Sequence, residues 1–387
     1  MEVTKIFDLI DDQKLEELGK IHKIDKVNHK ISGKFILKSF VSCILKGYPI
    51  SLRLIEKVGN NNIKLSGLLK AKKGNNKKTD HSSIGKRLSK LDADYFRDIY
   101  QDLVDKYNKL FSQTEADKFH RFDSTIISLS GQLLKDGLNL GGKPGDRHIK
   151  LSLGLKNSIP SSVRFCTEAS ESSEDVALVR AINEAKVEKD SIMLFDRGIT
   201  KADTFQEFTQ EEKNFITRVN VDRKYVLIKE NAISQPEDDK IKIISDQVIN
   251  LYNKDKRRIK CDLRLIKAKN QQEELWFLTN VFYLSADSVC MAYKKRWEIE
   301  VFFKFIKQNL SFKHFISHNT NGMSVYLYCV LIAAILFTIF KITNKLTGFK
   351  LVLLEFSLLL DKDIAKDTAK DIVVFCRGNP DLIQYYK

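Results

Sequence analysis

The alternation of apolar and polar positions changes its period along the chain, and each change marks a segment. Residues 1–110 read as mostly helical. Phe35 to Leu45 forms one largely apolar run, and Ser51 is placed to cap SLRLIEKV, whose Leu52, Ile55 and Val58 are apolar. The lysine-, glycine- and asparagine-rich stretch Lys70 to Lys78 reads as a basic loop. Ser82 or Ser83 is expected to start a short helix with Lys86, Arg87 and Lys90 outward, and Asp94 to cap the next one. Short helices with a basic face fit either a helix-turn-helix-like DNA reader or a plain helical domain.

From Lys118 the period drops to two. In KFHRFDSTIISLS, the residues Phe119, Arg121, Asp123, Thr125 and Ile127 share one strand face, and His120, Phe122, Ser124 and Ile126 share the other. Glycine-rich NLGGKPGDRH, ending at His148, reads as a loop. Ile149–Leu155 and Ser162–Cys166 then read as two strands joined at Asn157 and Pro160. Helical spacing returns with Val176, Val179, Ile182 and Ala185, and a short strand, Ile192–Phe195, runs directly into Asp196. Between Phe215 and Ala292 the runs FITRVN, KYVLIK, KIKIIS, RRIKCDLRLIKA and LWFLTNVFY predict an inserted sheet.

The stretch YKKRWEIEVFFKFIK, Tyr293 to Lys307, predicts a helix with two unlike sides. With Tyr293 at zero, Arg296 falls at about −60°, Glu300 at about −20°, Lys304 at about +20° and Lys307 at about −40°. One carboxylate is thus ringed by cations and a tyrosine, while Ile299, Phe302, Phe303, Ile306 and Leu310 form an apolar back. The run Val325 to Phe340 is almost wholly apolar. It falls short of the roughly 20 residues of a bilayer span, so a buried helix is expected. A last apolar helix, FKLVLLEFSLLL, lies in the 345–387 tail.

Composition narrows the partner. The 387 residues carry a formal charge of +15 and a pI of about 9.3, which favours a polyanion. Cys43, Cys166, Cys261, Cys290, Cys329 and Cys376 are widely spaced, as reduced thiols of a cytosolic protein would be, and no Cys/His cluster suggests zinc. The N-terminus has no signal-peptide pattern. The expected location is cytoplasmic, at the nucleoid when DNA is bound.

Asp123 inside a strand, Asp196 at a strand's end and Glu300 on the helix are the candidate chemistry. An ionised carboxylate in a packed sheet must be paired or bind metal. Read locally, Asp123 sits in a turn, Asp196 caps a helix, and Glu300 pairs with Arg296 and Lys304. Read together, neighbouring first and fourth strands bring the three acids into a site suited to Mg²⁺. Two such ions about 4 Å apart can activate a water or a DNA 3′-hydroxyl and stabilise the leaving oxygen at phosphorus.

These residues resemble bacterial insertion-sequence transposases of the DDE class. In the insertion-sequence-four group the third acid lies in a signature of tyrosine, two residues, arginine, three residues, glutamate, six residues and lysine. Tyr293, Arg296, Glu300 and Lys307 match it without a gap. Asp123 in FDST looks like the first catalytic acid and Asp196 in FDRG like the second; the resemblance covers about Ser51 to Phe340. It implies an α/β fold: an RNase H-like catalytic core interrupted by a β-rich insertion, with a helical N-terminal domain. Pattern and resemblance together divide the chain at 1–110 (helical, DNA-binding), 111–214 (core), 215–290 (β-rich insertion), 291–344 (core, with the catalytic helix) and 345–387 (helical).

The resemblance further implies Asp123, Asp196 and Glu300 as catalytic residues and as ligands of two Mg²⁺ ions, with Mn²⁺ substituting. It implies DNA phosphate contacts for Tyr293, Arg296 and Lys307. Lys304 is added because it shares their face, and Arg197 because it adjoins Asp196, with an ion pair to Asp196 as its alternative. Ser124 and Thr125 read as strand buttresses. His148 and Lys150, at the start of the strand beside Asp123, either meet substrate or are a surface strand end. Trp297 either packs or stacks on a displaced base, and Tyr225, Tyr252 and Trp276 are candidates for the family's base-flipping aromatic.

The expected partners are double-stranded DNA, namely the terminal inverted repeats of the element and a target, with the protein a homodimer or larger complex and no membrane involved. Cut-and-paste chemistry through a DNA hairpin is implied. The alternatives are a stand-alone RNase H-like nuclease and an inactive DNA-binding relic.

Overall fold

The computed structural model describes residues 3–26, 31–60, 79–111, 118–129, 147–166, 171, 173–233, 241–271, 273–312, 316–317 and 319–363. The basic loop at Lys70–Lys78, the glycine-rich loop before Arg147, the tail beyond 363 and Cys376 lie outside them. The chain begins with helices α1 (Val3–Phe7), α2 (Asp12–Ile21), α3 (Gly33–Leu45), α4 (Leu52–Asn60), α5 (His81–Leu88) and α6 (Ala93–Phe111). Strands β1 (Phe119–Leu129), β2 (Arg147–Lys156) and β3 (Ile159–Cys166) precede α7 (Glu174–Glu184), β4 (Ile192–Phe195) and α8 (Ala202–Gln210). Strands β5 (Asn214–Val219), β6 (Tyr225–Glu230), β7 (Lys242–Leu251), β8 (Leu263–Lys269) and β9 (Glu274–Thr279) follow. The chain continues through α9 (Ala286–Lys294), α10 (Trp297–Asn309), α11 (Thr320–Thr343) and a helix α12 over 350–363.

Local chemistry accounts for most of the helix starts. Ser32 caps α3 by accepting from the Phe35 N–H, and the Ser51 hydroxyl accepts from Leu54 at 3.1 Å, as expected. Two expected caps move upstream. Asp80, not a serine, caps α5 through the Ser82 N–H, and Asp92, not Asp94, accepts the Asp94 N–H at the start of α6. A carboxylate two or three residues earlier takes the orphan donors first.

Two compact units result. Residues 1–112 and those from 304 onward form one; 113–303, apart from the undescribed 132–136, form the other. The boundary falls inside α10, between Phe303 and Lys304.

The second unit is built on one nine-stranded sheet in the order β3-β2-β1-β4-β5-β9-β8-β7-β6. β2 and β3 form a hairpin across Asn157 and Ser158, whose φ of 50° and 66° suit a tight primed turn. β1 is antiparallel to β2 but parallel to β4, and β4 is parallel to β5. β9 joins β5 antiparallel, and β8, β7 and β6 extend the sheet as a meander. The run FITRVN is therefore hydrogen-bonded to β4 on one side and to the last strand of the expected insertion on the other. Both faces of the sheet are covered. Phe122, Met193, Phe195 and Phe215 pack with Leu178 and Ile182 of α7 and Phe205 and Phe208 of α8, while Ile192, Leu194, Ile216 and Phe277 pack with Val289, Cys290 and Ala292 of α9.

In the first unit α11 is the hub, packed by α1, α3 and α6. It is longer than its apolar run, 24 residues, so length alone does not exclude a bilayer span as the sequence pattern suggested. Its burial identifies its environment: 94% of its most apolar window is enclosed by the fold. Phe305, Phe337 and Phe349 stack along it, with neighbouring centroids 4.8 and 4.5 Å apart.

Phe215 is the centre of the aromatic group beneath the sheet, 5.4 Å from Phe205 and 5.9 Å from Phe195. Phe215→Ala is expected to cost about 3–5 kcal/mol, read as a lower urea midpoint for loss of the β-sheet signal.

Candidate active site

The register of β1 and β4 decides where the first two acids stand. They pair in parallel at Phe119–Ile192, His120–Met193 and Arg121–Leu194. Asp123 and Asp196 each follow the last pair by two residues, so they reach the same level, on the face that carries Arg121 and Leu194. β5 pairs with β4 up to Phe195–Thr217, which puts Arg218 at the level of Asp196. Three adjacent strands therefore present Asp123, Asp196 and Arg218 in one row. The row lies at the carboxyl end of β4.

Backbone contacts hold the two aspartates. The Ser124 N–H donates to Asp123 Oδ1 and the Gly198 N–H to Asp196 Oδ1, both at 2.8 Å. The Thr217 hydroxyl donates to the Asp196 carbonyl at 2.9 Å. Backbone donors orient a carboxylate and leave its charge in place. Ser124 also bonds to Ser152 across β1 and β2, the buttress expected of it.

Above this face lies α9. Tyr293 rests on Phe277 at 5.3 Å between centroids, and the Arg296 guanidinium lies 5.6 Å from the Tyr293 ring centre. Arg296 pairs with Glu300 at 2.5 Å; no such pair joins Glu300 to Lys304. Burial works against the charge of Arg296, but Tyr293, Glu300 and Asp123 outweigh it and raise its pKa. Burial raises the pKa of Tyr293, helped by Asp196 and opposed by Arg296 and Arg218. Asp123, Asp196, Tyr293, Arg296, Glu300 and Arg218 thus form one electrostatic neighbourhood. Nε of Arg296 and Nε of Arg218 are buried there without a hydrogen-bond partner.

The helix expected from Tyr293 onward is broken. Lys295 and Arg296 form a turn between α9 and α10, with i→i+3 bonds from Lys295 N to Ala292 O, Arg296 N to Tyr293 O and Glu298 N to Lys295 O. A contact from far along the chain meets this turn. Arg121, 1% exposed, donates through Nε to the Lys295 carbonyl at 3.1 Å, the acceptor that a continuous helix would offer to the Ile299 N–H. The apolar back of α10 is as expected: Ile299, Phe302, Phe303, Ile306 and Leu310 are all buried. Lys304, exposed, and Lys307, half-buried, follow Glu300 on its side of the helix, in the first unit.

Several weaker expectations are corrected. Lys150 and His148 pair with Ile126 and Ser128, even-numbered positions of β1, whereas Asp123 pairs with Leu153; both therefore belong to the opposite sheet face. Arg197 is exposed, and no ion pair joins it to Asp196, because the residue after a strand-end aspartate points away from it. Trp297 does not pack: it is 62% exposed, since the turn carries it off the seam of Ile299 and Phe302. Trp276 is 8% exposed beneath Lys267 Nζ, and Tyr225 is held by Gln247, while Tyr252 is 41% exposed.

Arg121 and Arg218 were missed. Their signal is a cation on the same strand face as an acid or a core residue, where propensity alone would place an apolar side chain.

Metal-ligand geometry among the described residues is tightest elsewhere. Glu56, Asp80 and His81 have ligand atoms within 4.8 Å of one another; Asp123, Asp196 and Glu300 are less tightly gathered. Capping explains the former: His81 Nδ1 lies 2.9 Å from Glu56 and 3.1 Å from Asp80, the residue that caps α5. The three acids offer only oxygen donors, and their mutual repulsion is relieved in part by Arg296. That chemistry fits a divalent cation.

The neighbourhood can be tested by titration. Because Asp196 raises and Arg296 lowers the pKa of Tyr293, Asp196→Asn should shift its phenol to a lower pKa and Arg296→Gln to a higher one. Ultraviolet difference titration against Tyr293→Phe in each background isolates that one ring.

Comparison with known proteins places the chain in a family. The Transposase DDE domain family matches residues 122–336, more than half of the chain. A protein named as a transposase, y4zB, of Sinorhizobium fredii is 26% identical over 162 residues, 42% of this chain and 46% of that protein. One named for insertion sequence element IS5377 of Geobacillus stearothermophilus is 21% identical over 71% of each chain. Another, named for IS4SA of Synechocystis, is 23% identical over 69% of this chain and 73% of its own length. The chain spans about half of the first of these relatives and over two thirds of the other two. Its match extends from the strand of Asp123 to beyond the helix of Glu300, and the chain belongs to the DDE transposase family.

Proposed function

We propose that this protein is the transposase of an insertion sequence, cutting DNA at the element's terminal inverted repeats and joining the freed ends to a target. The observation that carries this reading is the shared level of Asp123 and Asp196, with the Arg296–Glu300 pair in electrostatic reach of the same row. The strand order β3-β2-β1-β4-β5, antiparallel on one side of β1 and parallel on the other, supports an RNase H-like core; the β-rich insertion expected over 215–290 then narrows to β6–β9, because FITRVN, in β5, pairs with β4.

Asp123, Asp196 and Glu300 are the residues that would hold the divalent ions, two Mg²⁺ with Mn²⁺ able to substitute. Bound there, such ions supply Lewis-acid stabilisation and a deprotonated nucleophile at phosphorus. The chain's own residues do the rest. Glu300 exchanges its arginine for that role, which frees Arg296 to grip a terminal phosphate through its fork. Tyr293 stays protonated, its pKa raised by burial, and so donates a hydrogen bond. Lys307 and Lys304 extend the phosphate grip along α10, and exposed Arg197 has the reach to join it. Arg218 adds a fixed cation beside Asp196. Exposed Trp297, next to Arg296, is suited to stack on a displaced base, as cut-and-paste through a hairpin requires.

The helices of 1–110 serve as reader of the repeats, and a homodimer or larger complex holds two ends together. The charge of +15 supports an extended grip on DNA.

The test is excision from a plasmid carrying the repeats that flank the gene, in Mg²⁺, with wild type and Glu300→Ala side by side on a denaturing gel. Wild type should yield nicks, hairpins and joined strands. Glu300→Ala should lose more than the roughly 10–100-fold that removing a supporting partner of a metal ligand costs. Equal cleavage by both removes Glu300 from the mechanism. Nicking without end selectivity points to a stand-alone nuclease, and retention of repeat DNA without cleavage to a binding-only relic.

A further inference from the structure

Buried arginines from the sheet beneath hold α9 at both ends. At its start, Arg264 of β8 donates to the carbonyl of Leu284, the residue before the cap Ser285, while its fork lies on Asp246 of β7 at 2.9 and 2.6 Å. At its end, Arg121 of β1 donates to the carbonyl of Lys295, the C-cap, and to that of Phe119 at 2.7 Å, and pairs with Glu298 at 2.9 Å. Arg264 is 6% exposed and Arg121 1%.

Buried guanidiniums are a costly way to attach a helix, because desolvation offsets most of the Coulomb gain. The apolar contacts of Val289, Cys290 and Ala292 already attach α9 to the sheet. What the arginines add is location. An apolar face can slide on a sheet with little loss, whereas a rigid fork bonded to a particular carbonyl cannot. The Lys295 carbonyl lies between Tyr293 and Glu300, and Arg121 lies two residues before Asp123 on the same strand face. One side chain therefore ties the turn of the third acid to the strand of the first. The two acids of Trp-Glu-Ile-Glu divide the work: Glu298 balances Arg121, and Glu300 balances Arg296.

We propose that Arg121, with Glu298 as its counter-charge and Arg264–Asp246 as the anchor at the far end of α9, is a positioning residue that sets Glu300 and Arg296 over the Asp123–Asp196 row. The inference rests on the reading of the three acids as the active site. It assigns Glu298, half-exposed and beside the catalytic helix start, to positioning and not to metal binding.

The experiment uses full-length wild type, Arg121→Lys, Glu298→Gln, the double variant and Glu300→Ala. Two quantities are read: backbone hydrogen exchange by mass spectrometry, and the Mg²⁺ concentration giving half-maximal cleavage of the repeat-bearing plasmid. In Arg121→Lys and Glu298→Gln, exchange should rise over residues 295–300 while β1, β4 and α11 stay protected. Cleavage should fall about 10–100-fold, as for other supporting partners of metal ligands, with the Mg²⁺ midpoint moved upward. The double variant should be no worse than its weaker parent, because both remove one contact.

Unchanged exchange at 295–300, or a lower cleavage amplitude at an unchanged Mg²⁺ midpoint, overturns the proposal. Loss of protection across the whole sheet in both single variants overturns it too, making Arg121 a packing residue. If wild type itself does not cleave, the active-site reading fails and the positioning role with it. Cleavage by wild type and not by Glu300→Ala, with both clamp variants unaffected, sinks the clamp alone.

Discussion

The parallel pairing of β1 with β4 is the constraint from which the site follows. Three residue pairs lock the two strands in register, and side chains two residues beyond the last pair must then reach the same level and face. A shift of one residue would send either aspartate through the sheet into the layer of Phe122 and Phe195. The register is guarded from both sides, because the even and odd positions of these strands feed two separate apolar layers. The cores that stabilise the sheet are thus what hold two like charges side by side.

Holding them there costs energy, and the structure offsets it with cations on every approach. Arg218 comes from the next strand, and Arg296 from the helix above. Arg121 does something different. It shares the acids' face of the sheet but spends its donors on two carbonyls and one carboxylate, converting a buried charge into directional bonds. Charge near the row offsets the two acids, while the guanidiniums beneath α9 bond to the carbonyls at its ends.

The remaining elements are held in different ways. β6 to β9 continue the same sheet through β9, so the segment between Asp196 and Glu300 is braced against the strand next to Asp196. In the other unit, a helix apolar on every side is enclosed by α1, α3 and α6. Its hydropathy measures how central it is.

Local chemistry was legible in the sequence. The period-two pattern around Asp123, the strand ending at Phe195, the apolar back of α10 and the spacing from Tyr293 to Lys307 all depend on neighbours within a few residues, where propensity and periodicity act. What tertiary structure alone decided depends on contacts between distant residues. Arg121 meets Lys295 across 174 positions, at the break in the helix that periodicity predicts. Strand pairing sets Lys150 on the wrong face for Asp123, brings Arg218 level with Asp196, and joins β1–β5 and β6–β9 into one sheet. Trp297 is exposed because it follows the turn at Lys295 and Arg296, which the period of the chain does not show. The sequence by itself located most of the elements and singled out Asp123, Asp196 and Glu300 as the candidate acids. Their register and the bend that aims the third acid came only with the fold, because hydrogen bonds between strands and from a buried guanidinium leave no period in the chain.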